Sequence, residues 1–66
     1  MATQELIRKI EELLLEDPDT ELKKMWYDQR SGVVIMEFTT GERIETDISG
    51  FCMRDILWEI IDTVYA

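Results

Sequence analysis

The stretch GVVIMEFTTGERIETDIS, residues 32–49, decides how this chain folds. Two β-forming runs flank Thr39-Thr40-Gly41, and a three-residue loop with glycine in the left-handed region is a common way to join antiparallel strands. That loop sets Phe38 opposite Glu42, Met36 opposite Ile44 and Val34 opposite Thr46. Because side chains alternate across a strand, one face then carries Val34, Met36, Phe38, Ile44 and Ile48. The other carries Val33, Ile35, Glu37, Arg43, Glu45 and Asp47, with Glu37 opposite Arg43 as a favourable charge pair. A two-residue loop would place Ile44 with Glu37 on one face and Phe38 with Arg43 on the other. The three-residue register keeps one face apolar, so it is the expected one.

Upstream, DQRSG (28–32) reads as a turn leading back to ELKKMWYD (21–28). Leu22, Trp26 and Tyr27 suit a strand, but Lys23 and Lys24 leave its inward face undecided and mark it as an edge. Whether it pairs with the first or second strand of the hairpin is open. Before it, EDPDT (16–20) breaks the chain, since Pro18 disfavours helix at Asp17 and cannot continue a helical ladder itself. Leu6, Ile7, Ile10, Leu13 and Leu14 recur at helical spacing ahead of that break, with Thr3 as N-cap, and predict a first helix over about residues 4–16.

Downstream, SGFCMRDILWEIIDTVYA (49–66) predicts a second helix from about Phe51 to near the end, capped by Ser49 or Gly50. Met53, Ile56, Leu57, Ile60, Ile61 and Val64 fall in one arc of about 140° and are the expected core face. Phe51, Trp58 and Tyr65, seven residues apart, lie more than about 100° from its centre, with Asp55 and Asp62 among them. Three fates are open to these aromatics: cover by the first helix, a seam between two copies, or contact with a partner. The expected fold is α+β, in the order helix, three antiparallel strands, helix, with both helices packed on one face of the sheet. Residues 1–66 are expected to form one small acidic domain.

Composition narrows function more than it identifies it. Fifteen acidic against seven basic residues give a net charge of -8, which opposes direct binding to nucleic acid or to anionic membrane surfaces and suits a cationic partner. The charge is uneven: residues 1–21 hold seven carboxylates against Arg8 and Lys9, and Glu16 and Asp17 close the first helix with the sign its dipole disfavours. One cysteine, Cys52, cannot form an internal disulfide, and no basic stretch followed by an apolar run opens the chain, so a cytoplasmic location is expected. Cys52 sits near a helix start, yet without a histidine to act as its base it reads as a small packing residue. Asp17, Asp19 and Glu21 alternate like early ligands of a calcium loop, but the required downstream glycine and bidentate glutamate are missing. No histidine and no glycine-rich phosphate loop are present, so no enzymatic activity, cofactor or metal is expected.

The element order resembles the double-stranded-RNA-binding domain over nearly the whole chain. That family carries a basic cluster at the start of its second helix, where SGFCMRD offers only Arg54 beside Asp55. In size, charge and the ELIRKIEELL helix leading into a strand meander, the chain also resembles the small acidic inhibitors that phages carry against bacterial defence, anti-CRISPR proteins among them. That resemblance implies carboxylates standing in for phosphates on the basic, nucleic-acid-binding surface of a partner protein. The expected partner-binding residues are Glu11, Glu12, Glu16, Asp17, Asp19, Glu37, Glu45, Asp47, Asp55 and Asp62 for charge, with Trp58 and Tyr65 as apolar anchors. The alternative is a structural homodimer or accessory subunit assembled through the aromatic face of the second helix.

Overall fold

In the computed structural model, which describes residues 2–65, the chain runs α1 (Thr3–Leu15), β1 (Leu22–Asp28), β2 (Val33–Phe38), β3 (Arg43–Asp47) and α2 (Met53–Tyr65). The strands form one antiparallel sheet in the order β1-β2-β3. This is the expected α+β arrangement, and it settles that the first strand pairs with β2. The hairpin adopts the three-residue register: Val34 lies opposite Thr46, Met36 opposite Ile44 and Glu37 opposite Arg43. The Phe38 amide donates to the Glu42 carbonyl at 2.9 Å, and the Gly41 amide donates to the Phe38 carbonyl at 3.0 Å. Gly41 takes φ 92°, which a residue with a Cβ adopts only under strain.

A β-bulge resolves the first strand. The register shifts between Leu22 and Lys24, so Leu22 and Met25, three residues apart, both enter the core and Tyr27 packs at its margin. Lys24 and Trp26 stay on the opposite face. There Lys24 Nζ lies 4.9 Å and Arg43 Cζ 5.7 Å from the Trp26 ring centroid, an aromatic held between two cations. Ile35 is on this solvent side as the register requires, yet it is buried, because its cross-strand neighbour Trp26 is held over the sheet.

The core lies between the sheet and both helices, joining Ile7, Ile10 and Leu14 of α1 to Leu22, Met25, Val34, Met36, Phe38 and Ile48, and to Ile56 and Ile60 of α2. Two expectations about the helices need correction. Leu13, assigned to the core by its spacing, is 68% exposed, because α1 turns its Ile7-Ile10-Leu14 line to the sheet and leaves Leu13 on a flank. Met53, Leu57 and Ile61 are likewise exposed, because α2 turns its Ile56-Ile60 line inward, to one side of the centre of its apolar arc.

The helix starts also differ. Ala2, not Thr3, is the N-cap of α1; its carbonyl accepts the Leu6 amide at 3.1 Å, and Glu5 places a carboxylate in the first turn. Ser49 and Gly50 do not cap α2. They are used in a turn in which the Phe51 amide donates to the Ile48 carbonyl and Gly50 takes φ 80°. The helix therefore begins two residues later than expected, with the Cys52 carbonyl accepting the Ile56 amide at 3.0 Å. Phe51 precedes it, and Cys52 is exposed, so it is no packing residue. Among the described residues no helix is long and apolar enough to cross a membrane.

Candidate functional site

The two helices lie side by side and run the same way. Near their N-terminal ends the side chains of Gln4 and Gln29 meet, and α2 leaves β3 beside Val33, at that same end of the sheet. At the other end the Tyr65 hydroxyl donates to Asp17 Oδ2 at 2.6 Å, joining the two C-terminal ends. Glu11 fixes how α1 sits between these points. Its Oε2 accepts the Met25 amide at 2.7 Å, an amide on the free edge of β1, so the Gln4-Arg8-Glu11 flank leans over that edge. The opposite flank of a helix lies half a turn away, and it carries Leu6 and Leu13. It faces α2.

The same geometry applies to α2. Thr63 and Val64 line a shallow hollow with Phe38 and Ile44, which sets that side of the helix over β3. With right-handed helices running in parallel, the flank turned toward α1 then carries Leu57 and Ile61. Met53, Arg54, Leu57, Trp58 and Ile61 line an open concavity of about 520 Å³. Met53 is 53%, Trp58 62% and Ile61 43% exposed, and Leu13 stands on the facing helix. The concavity lies on the exposed face of α2 alone, and at the C-terminal end of that helix Tyr65 ties it to Asp17 in the turn after α1.

The carboxylates expected at a partner surface divide into three sets. Glu12, Glu16, Asp19, Asp55 and Asp62 are exposed on the helices and the turn that joins α1 to β1. Asp17 is half-buried, and its carboxyl is held below the usual range by the Tyr65 hydroxyl and then by the Asp19 amide, which donates to Oδ1 at 2.9 Å. The Tyr65 phenol is pushed up by that same bond to a carboxylate. Glu11 is committed to the β1 edge. On the sheet face, Glu37 and Glu45 both pair with Arg43, at 3.7 and 3.3 Å, and Asp47 accepts the Ser49 amide, which lowers its own pKa. With Lys24 and Arg43 flanking Trp26, that face is a balanced lattice of both signs rather than an acidic sheet.

Trp58 and Tyr65 are exposed as expected, and α1 does not cover Trp58. Sequence reasoning missed Leu13, Met53, Leu57 and Ile61 as surface residues. The available clue was the width of the α2 apolar arc, which with Trp58 and Tyr65 is more than one sheet face can bury. The run from Asp17 to Thr20 folds as a turn closed by the Asp19-Asp17 and Thr20-Asp17 hydrogen bonds. Comparison with protein-family models, with curated proteins and with solved structures returns no match to the chain.

Proposed function

We propose that this protein is a non-enzymatic interaction module, an inhibitor or regulator that engages a basic partner protein through the exposed apolar face of α2. The observation that carries this reading is the line of exposed apolar side chains at Met53, Leu57, Trp58 and Ile61, which together line one open concavity on α2, with the exposed carboxylates Asp55 and Asp62 on the same helix. Apolar anchors, tryptophan above all, supply binding energy when a partner excludes water from them, while acidic rims select a cationic partner and speed its approach. The paired carboxylates of the sheet face contribute less to this reading than the unpaired ones of the helices. Two copies meeting along α2 would bring Asp55, Glu59 and Asp62 of each against the other with Arg54 as the helix's one cation, so a foreign partner is favoured over a homodimer.

A photoreactive phenylalanine analogue placed at position 58, and separately at position 40 on the β2–β3 turn, tests this in cells that naturally hold the protein. A discrete adduct with a different protein is expected from position 58 alone, lost when Leu57→Asp is added and weakened as salt is raised. An adduct of two copies would replace the reading with the homodimer. Equal labelling from both positions would remove the α2 face from the account.

A further inference from the structure

Apart from the α2 face, we infer that the free edge of β3 is a second docking site, and that its occupant is an extended basic segment of a partner protein that adds to the sheet as a fourth strand.

The sheet has two outer strands, and their edges differ. Along β1 the register is broken by the bulge between Leu22 and Lys24, and the Met25 amide, which points away from the sheet, is taken by Glu11 Oε2. Both features discourage a further strand. Along β3 neither is present. Arg43–Asp47 pairs with β2 in unbroken register, contains no proline and has no strand on its other side.

The ladder fixes which peptide groups of β3 are free. The Phe38 amide bonds the Glu42 carbonyl and the Ile48 amide bonds the Gly32 carbonyl, and hydrogen-bonded pairs recur at every second residue of an antiparallel ladder. The peptide groups of Ile44 and Thr46 therefore point to β2, and those of Arg43, Glu45 and Asp47 point outward. Among the described residues no loop or side chain donates to or accepts from these outward groups. Such a line of amides and carbonyls is what strand addition uses, with main-chain hydrogen bonds giving affinity and alternate side chains giving selectivity.

The side chains select the occupant. From Glu42 to Asp47 the chain carries Glu42, Glu45 and Asp47 against Arg43. Glu45 and Asp47 are exposed on the solvent face, so lysine or arginine opposite them on the added strand completes favourable cross-strand pairs. Arg43 repels a cation at the turn end of the edge and so marks where the basic stretch stops. On the other face Ile44 is only partly buried, and a β-branched residue beside it extends the apolar layer. A second copy of this chain fits worse, because its β3 brings the same excess of carboxylates on a chain of net charge -8.

The capped pentapeptide Lys-Val-Lys-Val-Thr is the probe. Set antiparallel, its first and third residues face Asp47 and Glu45, and its threonine faces Arg43. At saturation and low salt it is expected to shift the Arg43, Glu45 and Asp47 amide resonances and to slow their hydrogen exchange about tenfold. N-methylation of its third residue, whose amide points at Glu45, should weaken binding about tenfold, whereas N-methylation of the fourth, whose amide points away, should change it little. Glu45→Pro removes an outward donor that the ladder with β2 does not use, and should abolish the slowing at Arg43 and Asp47. Glu45→Gln keeps the edge and should weaken binding while lessening its salt dependence. Leu57→Asp should leave peptide binding unchanged. No slowing of exchange, or equal effects of the two N-methylations, overturns strand addition. Binding lost in Leu57→Asp but kept in Glu45→Pro overturns the site and moves the peptide to α2. Slowed exchange at the same amides in the protein alone, growing with its concentration, overturns the foreign occupant in favour of a second copy. The adduct at position 58 tests the α2 face separately from all of these.

Discussion

Ile60 and Ile61 are adjacent and chemically identical, yet Ile60 is fully buried and Ile61 is 43% exposed. Truncating each in turn separates the observed seating of α2 from the one its periodicity alone selects, in which both face the core. Ile60→Ala removes three buried carbons, each worth about 0.8 kcal/mol in transfer, and leaves a cavity that neighbours fill only in part, for a loss of about 2 to 5 kcal/mol. Ile61→Ala removes the same carbons from a side chain already partly in water, where no closed cavity can form, and the loss should be about 1 kcal/mol. A domain of this length has a total stability of about 3 to 10 kcal/mol, so the first change takes a large share of it and the second does not. Urea unfolding followed by far-ultraviolet circular dichroism measures both. Similar losses would mean that α2 presents Ile61 to the core, and the exposed apolar face of α2 would then lose one of its members.

Other positions give sharp contrasts. Phe38→Ala should cost about 3 to 5 kcal/mol and leave the domain largely unfolded, whereas Glu37→Lys, which breaks only a surface pair with Arg43, should cost less than about 1 kcal/mol; a folded Phe38→Ala would turn the hairpin over. Gly32→Ala should destabilise more than Gly41→Ala in thermal unfolding: both add a Cβ at positive φ, at about 1–2 kcal/mol, but only at Gly32 would that Cβ collide with the Ser49 side chain. The Tyr65–Asp17 bond lowers the Asp17 pKa and raises that of Tyr65. Its stabilisation is therefore present above the ordinary carboxyl value of 3.8 and fades as pH falls through the lower folded value; it is present below the ordinary phenol value of 10.0 and fades as pH rises through the higher one. The stability difference between wild type and Tyr65→Phe should be flat between those limits and shrink outside them, and a difference that varies through neutral pH would reject the bond as its source.

The hairpin was legible because one glycine and one alternation pattern agree on a single register, and any other register buries charge. The strand order, the bulge in β1 and the seating of the helices were not legible, for a common physical reason. Each depends on where one element lies relative to another, while periodicity reports only which side chains share a face. In β1 the bulge at Lys23 changes the parity of the strand, so no simple alternation connects Leu22 with Met25. In α2 the apolar arc extends from Ile56 through Met53, Leu57 and Ile61 toward Trp58, and its width alone cannot say which part meets the sheet. The acidity of the sheet face was overestimated because Glu37 and Glu45 were counted without their shared partner, Arg43.

Glu11 accounts for why Leu13 of α1 and Leu57 of α2 both stay exposed, and its role differs from the partner contact its charge suggests. Helices packed side by side on a sheet need about 8 to 10 Å between their axes, and three strands at about 4.8 Å spacing give about that distance between the outer two. Two helices centred over β1 and β3 could therefore close on each other, Leu13 against Leu57. The bond from the Met25 amide to Glu11 Oε2 draws α1 outward over the edge of β1 instead, so the carboxylate acts as a strut and also blocks an otherwise free strand edge. Glu11→Ala should expose the Met25 amide to rapid hydrogen exchange, cost about 1 to 2 kcal/mol from the lost charged hydrogen bond, and let α1 slide inward. Nuclear Overhauser contacts between the Leu13 and Leu57 methyl groups should then appear. Glu11→Gln keeps an acceptor at the same reach and should retain most of the protection at Met25. If Glu11→Ala instead leaves those methyl groups apart, α1 is held over the strand edge by its Ile7-Ile10-Leu14 packing alone, and Glu11 serves only to cover the edge of β1.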